Sequence, residues 1–99
     1  MAQSILQRRL VDVSERLKRL RAEAAVTQEQ LAFLEEEAED ARTRSLVSET
    51  PLADAEARDA RRHADALGRH RDALVLSIAE LTQEQDALLD RMAAELSSR

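Results

Sequence analysis

The sequence predicts an all-α fold in which two long helices form an antiparallel coiled-coil hairpin. Ala, Leu, Glu, Arg, Gln and Asp dominate the 99 residues, and this composition is typical of long helices and coiled coils. The chain has one glycine, Gly68, and one proline, Pro51, so it contains almost no residues that interrupt helices. On both sides of Pro51, apolar residues follow one another at alternating spacings of four and three. This is the heptad pattern of coiled coils.

The first helix is predicted over about residues 4–46. Ser4 and Gln7 have the spacing of a capping box, in which each side chain accepts a hydrogen bond from the backbone of the other residue. The core positions of this helix are Leu6, Leu10, Val13, Leu17, Leu20, Ala24, Thr27, Leu31, Leu34, Ala38, Ala41 and Ser45. Arg42 and Arg44 are expected in the last turn, where the helix dipole favours cations.

A turn is predicted over about residues 47–50, and a second helix over about residues 51–97. Thr50 is a suitable N-cap, and Pro51 fits the first helical position because its missing N–H is no loss there. The core positions of this helix are Ala53, Ala57, Ala60, Ala64, Leu67, Arg71, Leu74, Ile78, Leu81, Gln85, Leu88 and Met92. Residues 1–99 are therefore interpreted as one hairpin domain.

The two cores match when residues whose numbers add to about 98 face each other. Leu17 then faces Leu81, and each core position meets one of the other type, as antiparallel coiled coils require. The register also pairs the charges of Glu35 with Arg61, Arg42 with Asp54, Arg44 with Glu56, and Arg16 with Glu84, although it brings Arg9 near Arg91. Arg71, opposite Thr27, and Gln85, opposite Val13, are interpreted as polar core residues that fix the register.

The chain has more apolar surface than the core of a hairpin uses. The candidate dimer or partner-binding residues on its flanks are Val11, Phe33, Val75, Leu89 and Leu96. A few such side chains, at about 1.5 to 3 kcal/mol each when fully buried, are sufficient to drive dimerisation into a four-helix bundle or docking on a partner. The alternative is a monomeric hairpin with scattered exposed aliphatic residues.

The predicted turn supplies a second candidate partner-binding surface, which we name the tip. It comprises Leu46, Val47, Glu49, Leu52 and Asp54. The apolar side chains of the tip either contact a partner or pack over the end of the core. Together the flanks and the tip predict a non-enzymatic interaction protein, acting as an adaptor, scaffold or regulator through a protein partner or as a homo-oligomer.

No catalytic, cofactor-binding or metal-binding residues are predicted. The chain has no cysteine and no phosphate-loop or nucleophile motif. His63 and His70 are about 10.5 Å apart along a helix, too far to share one metal ion. The net charge of −5 argues against direct nucleic-acid binding. Since neither a membrane span nor a signal-peptide pattern is found, we expect a cytoplasmic protein without a membrane partner.

Two families have features in common with this chain. Residues 52–56, Leu-Ala-Asp-Ala-Glu, resemble the tip motif Asp-Leu-Ser-Glu-Asn-Ala-Glu-Tyr of the Gre-type transcript-cleavage factors, but lack its leading Asp and its Asn and Tyr. This resemblance implies a bacterial transcription regulator that inserts its hairpin tip into RNA polymerase. In size and topology the chain is also similar to the secreted helical hairpins of the type VII system, although it has no Trp or Tyr for their turn and export motifs. That resemblance implies a secreted hairpin.

Overall fold

The computed structural model describes residues 4–98, and nearly all of them are helical. Helix α1 comprises Ile5–Ser48 and helix α2 comprises Pro51–Ser97, with no strand within residues 4–98. The two helices pack antiparallel, which confirms the predicted helical hairpin. The chain divides into two compact units. We name residues 4–23 with 74–98 the terminal unit and residues 24–73 the turn unit; each contains a segment of α1 and a segment of α2.

The predicted capping box is present at the start of α1. The backbone N–H of Gln7 donates to Ser4 Oγ at 3.1 Å, and the backbone N–H of Ser4 donates to Gln7 Oε1 at 3.0 Å. These reciprocal bonds satisfy backbone donors that have no partner within the helix. Helix α1 therefore begins at Ile5, directly after its predicted cap.

Helix α1 ends at Ser48, about two residues later than predicted, because Glu49 forms a left-handed cap. Glu49 has a φ of 52°, and its N–H donates to the carbonyl oxygen of Ser45 at 3.0 Å. This bond is the single backbone contact of the αL helix-ending motif, in which glycine is the usual residue. Because α1 continues to Ser48, Arg42 and Arg44 lie before its last turn and not within it.

Helix α2 begins at Pro51, and Thr50 caps it as predicted. Thr50 Oγ1 accepts a hydrogen bond from the N–H of Ala53 at 3.2 Å, which satisfies one of the free donors of the first turn. Asp54 lies in this first turn, where a negative charge is favourable to the helix dipole. Its carboxylate also accepts a hydrogen bond from Ser45 Oγ of α1. Only Glu49 and Thr50 therefore connect the two helices.

Large aliphatic side chains form the core of the terminal unit. The buried cluster comprises Leu6, Val13, Leu17, Leu81 and Leu88, with Leu10, Leu20, Ile78 and Met92 packed against it. All nine residues occupy predicted core positions. The polar core residue Gln85 donates from Nε2 to Ser14 Oγ at 3.1 Å, so its partner is the neighbour of the predicted Val13. The residue numbers of this pair agree with the predicted register to within one.

Smaller side chains form the core of the turn unit. Its buried residues are Thr27, Leu31, Ala38, Ala41 and Ala64. Alanine allows two helices to approach closely but removes little apolar area from water. The predicted pair of Glu35 and Arg61 is confirmed, with 2.6 Å between Oε2 and Nη2. Arg71 donates from Nη1 to Gln28 Oε1 at 3.0 Å, next to the Thr27 that it was predicted to face.

Two of the predicted charge pairs are replaced by others, and Arg44 and Glu56 form no ion pair within residues 4–98. In the terminal unit, Glu84 pairs with Arg9 at 3.7 Å and not with Arg16. Arg9 thus has an acidic partner, although the register alone brings it near Arg91. In the turn unit, Arg42 pairs with Glu39 on its own helix at 3.3 Å. Long exposed side chains reach several residues along a helix, and exposed ion pairs differ little in free energy. The register alone therefore does not determine which of the possible ion pairs form.

Candidate protein-interaction surfaces

The outer surface carries many large hydrophobic side chains. Within residues 4–98, eleven of them are at least 47% exposed: Ile5, Val11, Val26, Phe33, Leu46, Val47, Leu52, Val75, Leu76, Leu89 and Leu96. Only seven of comparable size are buried in the same range: Leu6, Val13, Leu17, Leu31, Leu74, Leu81 and Leu88. Contiguous exposed apolar surface marks interaction sites. The candidates for binding a partner are therefore those exposed residues that share one face of a unit.

Four of the predicted residues lie on one side of the terminal unit, which we name the aliphatic flank. Its members are Val11, Val75, Leu89 and Leu96. On α2 the three members are spaced by multiples of seven, so they lie on one face of the helix. On α1, Val11 directly follows a core residue, Leu10. On α2, Val75 and Leu89 also directly follow core residues. In an antiparallel pair, residues at these positions of the two helices lie on the same side of the core.

Phe33 is the fifth predicted flank residue, and it belongs to the turn unit. Its side chain is 61% exposed and borders a groove of about 560 Å³. The other lining residues of this groove are Glu29, Gln30, Leu34 and Leu67. The predicted flank residues are therefore divided between two units, with four in the terminal unit and one in the turn unit.

The five residues of the tip are all exposed. Leu46, Val47 and Leu52 are each at least 64% exposed, so they do not pack over the end of the core. Glu49 is held in the left-handed conformation described above. Asp54 differs from the other four because its carboxylate already bonds to Ser45. The tip therefore combines three exposed apolar side chains with Glu49, which has a positive φ. Of its two carboxylates, that of Asp54 is already hydrogen-bonded within the chain.

The sequence reasoning missed a groove in the turn unit, which we name the arginine groove. Its volume is about 410 Å³, and its lining residues are Ala38, Glu39, Arg42, Ala57, Arg58, Arg61 and Arg62. Its lining includes one alanine from each helix and four arginines. The spacing of three and four between arginines 58, 61 and 62, next to an alanine core layer, indicates a shared basic face but not the groove itself.

Most arginines of the arginine groove are paired within the chain. Arg61 contacts Glu35 and also Asp65, the latter at 3.2 Å from Nε to Oδ1. The hydrogen bond to Glu35 raises the pKa of Arg61 above its ordinary value. Arg62 pairs with Asp59. Arg58 has no ion-pair partner among residues 4–98, so one cation of the groove is available to an external group.

The two histidines of the chain, His63 and His70, are both exposed in the turn unit. In the part of the chain that the structure describes, no group of three or more His, Asp or Glu residues is arranged to hold a metal ion. Over the same residues, neither helix has a stretch long and apolar enough to cross a bilayer.

Comparison of the chain with protein families, with curated proteins and with solved structures gave no match. The candidate surfaces are therefore defined by the residues of this chain alone.

Proposed function

We propose that this chain is a non-enzymatic coiled-coil interaction protein, acting as an adaptor, scaffold or regulator through protein–protein contacts. The observation that carries the proposal is the excess of exposed over buried large hydrophobic side chains within residues 4–98. The aliphatic flank is the main contact surface in this proposal, since it gathers Val11, Val75, Leu89 and Leu96 on one side of the terminal unit. Burial of these side chains supplies the free energy of association.

Affinity capture with matched variants tests the proposal. The tagged chain and its Val75→Ser, Leu89→Ser double variant are each used to capture proteins from the cytoplasm of the source cell. We expect the double variant to lose proteins, or further copies of the chain, that the wild type retains, because polar replacements reduce the apolar area buried on binding.

The chain offers a matched control for the flank variant at Leu76. Leu76 is exposed in the terminal unit and is adjacent to Val75, but it points about 100° away around the helix. Leu76→Ser therefore removes similar apolar area from a different face. Equal retention of all captured proteins by the flank variant and by Leu76→Ser would contradict the proposal, provided that circular dichroism gives equal helicity.

A second candidate function uses the tip. Strained backbone positions cluster at functional sites. Glu49 has a positive φ and is close in sequence to the exposed Leu46, Val47 and Leu52. In this candidate, the chain is a transcription regulator that inserts its tip into RNA polymerase. The resemblance of residues 52–56 to the tip of the Gre-type factors supports it.

An in vitro transcription assay tests the second candidate with purified protein. Glu49→Ala combined with Asp54→Ala is expected to abolish an effect of the chain on the polymerase. Because Asp54 also bonds to Ser45, the control is Ser45→Ala, which removes the same hydrogen bond and keeps both carboxylates. If the double variant retains the full effect, or if Ser45→Ala loses it equally, the tip carboxylates are not the contact.

A further inference from the structure

The two helices of the terminal unit have opposite net charge. Residues 5–23 of α1 contain six basic and three acidic side chains, a net charge of +3. Residues 74–97 of α2 contain five acidic side chains and one basic side chain, a net charge of −4. The aliphatic flank has members on both helices, so it lies across a border between a basic and an acidic surface. Any partner of this flank must match that charge pattern.

The charges beside the flank are available to an external partner. Lys18 of α1 and Asp86 of α2 stand seven residues after Val11 and seven after Ala79, on the side of the flank. Both side chains are on exposed residues, and neither forms an ion pair among residues 4–98. A partner that presents an acidic surface to Lys18 and a basic surface to Asp86 therefore complements this side of the unit.

A second copy of the chain presents those two surfaces in one of its possible orientations. A two-fold axis relates identical surfaces in most homodimers. With the axis perpendicular to the helices, α1 meets α1 and α2 meets α2, so that like charges face each other. With the axis parallel to the helices, the basic segment of α1 in each copy meets the acidic segment of α2 in the other. Juxtaposed like charges disfavour a pairing, and opposite charges favour it.

We propose that the aliphatic flank binds a second copy of this chain, with α1 of each copy against α2 of the other within the terminal unit. This inference rests on the proposed function, because it names the partner of the same flank. The bond from Gln85 to Ser14 shows which residues of α1 and α2 lie at the same height along the helix axes. Val11 is three residues before Ser14, and Leu89 is four residues after Gln85. Because the helices are antiparallel, Val11 and Leu89 lie at almost the same height. Val11 therefore meets Leu89 of the second copy, and symmetry makes this contact twice.

The charged side chains on the flank fit the same arrangement. Side chains of an α-helix lean toward its N-terminus. Lys18 therefore leans along α1 toward the level of Val11, while Asp86 leans along the antiparallel α2 in the opposite direction. Across the proposed interface, Lys18 converges on Asp86 of the second copy. The two aliphatic contacts are thus bordered by two pairs of opposite charge.

Cysteine crosslinking tests the orientation without background, because the chain has no cysteine. Val11→Cys and Leu89→Cys are made in separate chains with different tags, mixed in a glutathione redox buffer, and analysed without reductant. We expect the mixed covalent dimer to exceed each homodimer several-fold. The control mixture replaces Val11→Cys by Ala22→Cys, which is exposed on the outer face of α1. Yields equal to this control, or a predominance of crosslinks between like helices, would overturn the arrangement.

Exchange of charges tests the pairing independently. Lys18→Glu and Asp86→Lys are each expected to weaken the dimer several-fold, as measured by sedimentation equilibrium, because each places like charges together at both symmetric sites. An equimolar mixture of the two variants is expected to restore the wild-type affinity, since both sites then contain opposite charges. Restoration only when both changes are in one chain would show an internal pair and overturn the proposal.

The oligomeric state of the wild-type chain distinguishes a second copy from a different protein as the partner of the flank. A wild-type chain that remains strictly monomeric at high micromolar concentration overturns the second copy as the partner. If the variant with Val75→Ser and Leu89→Ser still loses captured proteins in that case, the flank remains a contact surface for a different protein. If it loses none, the proposed function falls as well.

Discussion

The terminal unit and the turn unit share one arrangement of two helices, but different interactions hold them together. The buried residues of the terminal unit are the aliphatics Leu6, Val13, Leu17, Leu74, Leu81 and Leu88, whereas the turn unit buries Thr27, Leu31, Ala38, Ala41 and Ala64. Each fully buried leucine or valine contributes about 1.5 to 3 kcal/mol, and alanine much less. Most of the hydrophobic stabilisation is therefore in the terminal unit.

The turn unit has polar and backbone interactions in place of aliphatic burial. The left-handed cap of Glu49, the N-cap of Thr50 and the bond of Asp54 to Ser45 all lie within it. Its Glu35 carboxylate also pairs with Arg61 across the two helices. The comparison shows that heptad spacing determines which residues face each other, while the size of those residues determines how much free energy the contact contributes.

The largest expected effect is at Leu17, which is 1% exposed in the aliphatic core. Leu17→Ala is expected to lower the free energy of unfolding by about 2 to 5 kcal/mol through lost burial and the remaining cavity. Urea denaturation followed by circular dichroism measures it. The matched variant is Leu31→Ala in the turn unit, which we expect near the low end of that range because the other buried residues of this unit are a threonine and alanines. Equal losses would remove the energetic difference between the two units.

A change of opposite kind tests the packing of the turn unit. Ala64 has no exposed surface, so Ala64→Leu inserts a large side chain at a fully buried position. Overpacking is expected to lower the free energy of unfolding by about 1 to 3 kcal/mol. The control, Ala66→Leu, is at an exposed position and is expected to change stability by less than about 0.5 kcal/mol. A stabilising Ala64→Leu would show that the helices of this unit separate easily.

A smaller effect is expected at Gly68, in the same unit. A Cβ atom added at this residue meets nothing within 4 Å, so no contact in the chain requires glycine. Gly68→Ala is expected to raise the free energy of unfolding by about 1 kcal/mol, which is the difference in helix propensity. Thermal unfolding by circular dichroism measures it, with Ala66→Gly as the reverse change. A loss of stability in Gly68→Ala would indicate that a second chain packs at this position.

The smallest expected effect is at the left-handed cap. Glu49→Gly removes the steric cost of a Cβ atom at positive φ, but the unfolded chain gains freedom, so a net stabilisation of about 0.5 kcal/mol is expected. Glu49→Ala keeps the Cβ atom and is expected to leave stability nearly unchanged. Urea denaturation of both variants checks this difference. Identical midpoints for Glu49→Gly and Glu49→Ala would show that the cap stores no strain.

The fold followed from the sequence because its signals are local and repeated. The capping box of Ser4 and Gln7, the cap at Thr50 and the uninterrupted heptads depend on residues close in the chain, and all of them are present. The end of α1 was less predictable because Glu49 adopts a conformation that usually requires glycine. Its positive φ accompanies a backbone bond to Ser45, and no side-chain pattern indicates either.

The surfaces were predictable only in part. Exposure of the flank and tip side chains follows from their positions outside the heptad core. The pair of Arg9 and Glu84 and the arginine groove were missed because both depend on how long side chains extend along a helix, which residue spacing does not determine. What binds to the flank depends on how two three-dimensional surfaces fit together, which the order of residues alone does not show.

The two-residue connection between the helices has a consequence for how such a protein can change in length. Glu49 and Thr50 are both held by caps, so the connection has no slack to absorb an added residue. One residue inserted into α1 rotates everything on one side of it by about 100° and removes those side chains from the core. Insertions of whole heptads, made in both helices at the same height, lengthen the hairpin and keep every core residue in its register.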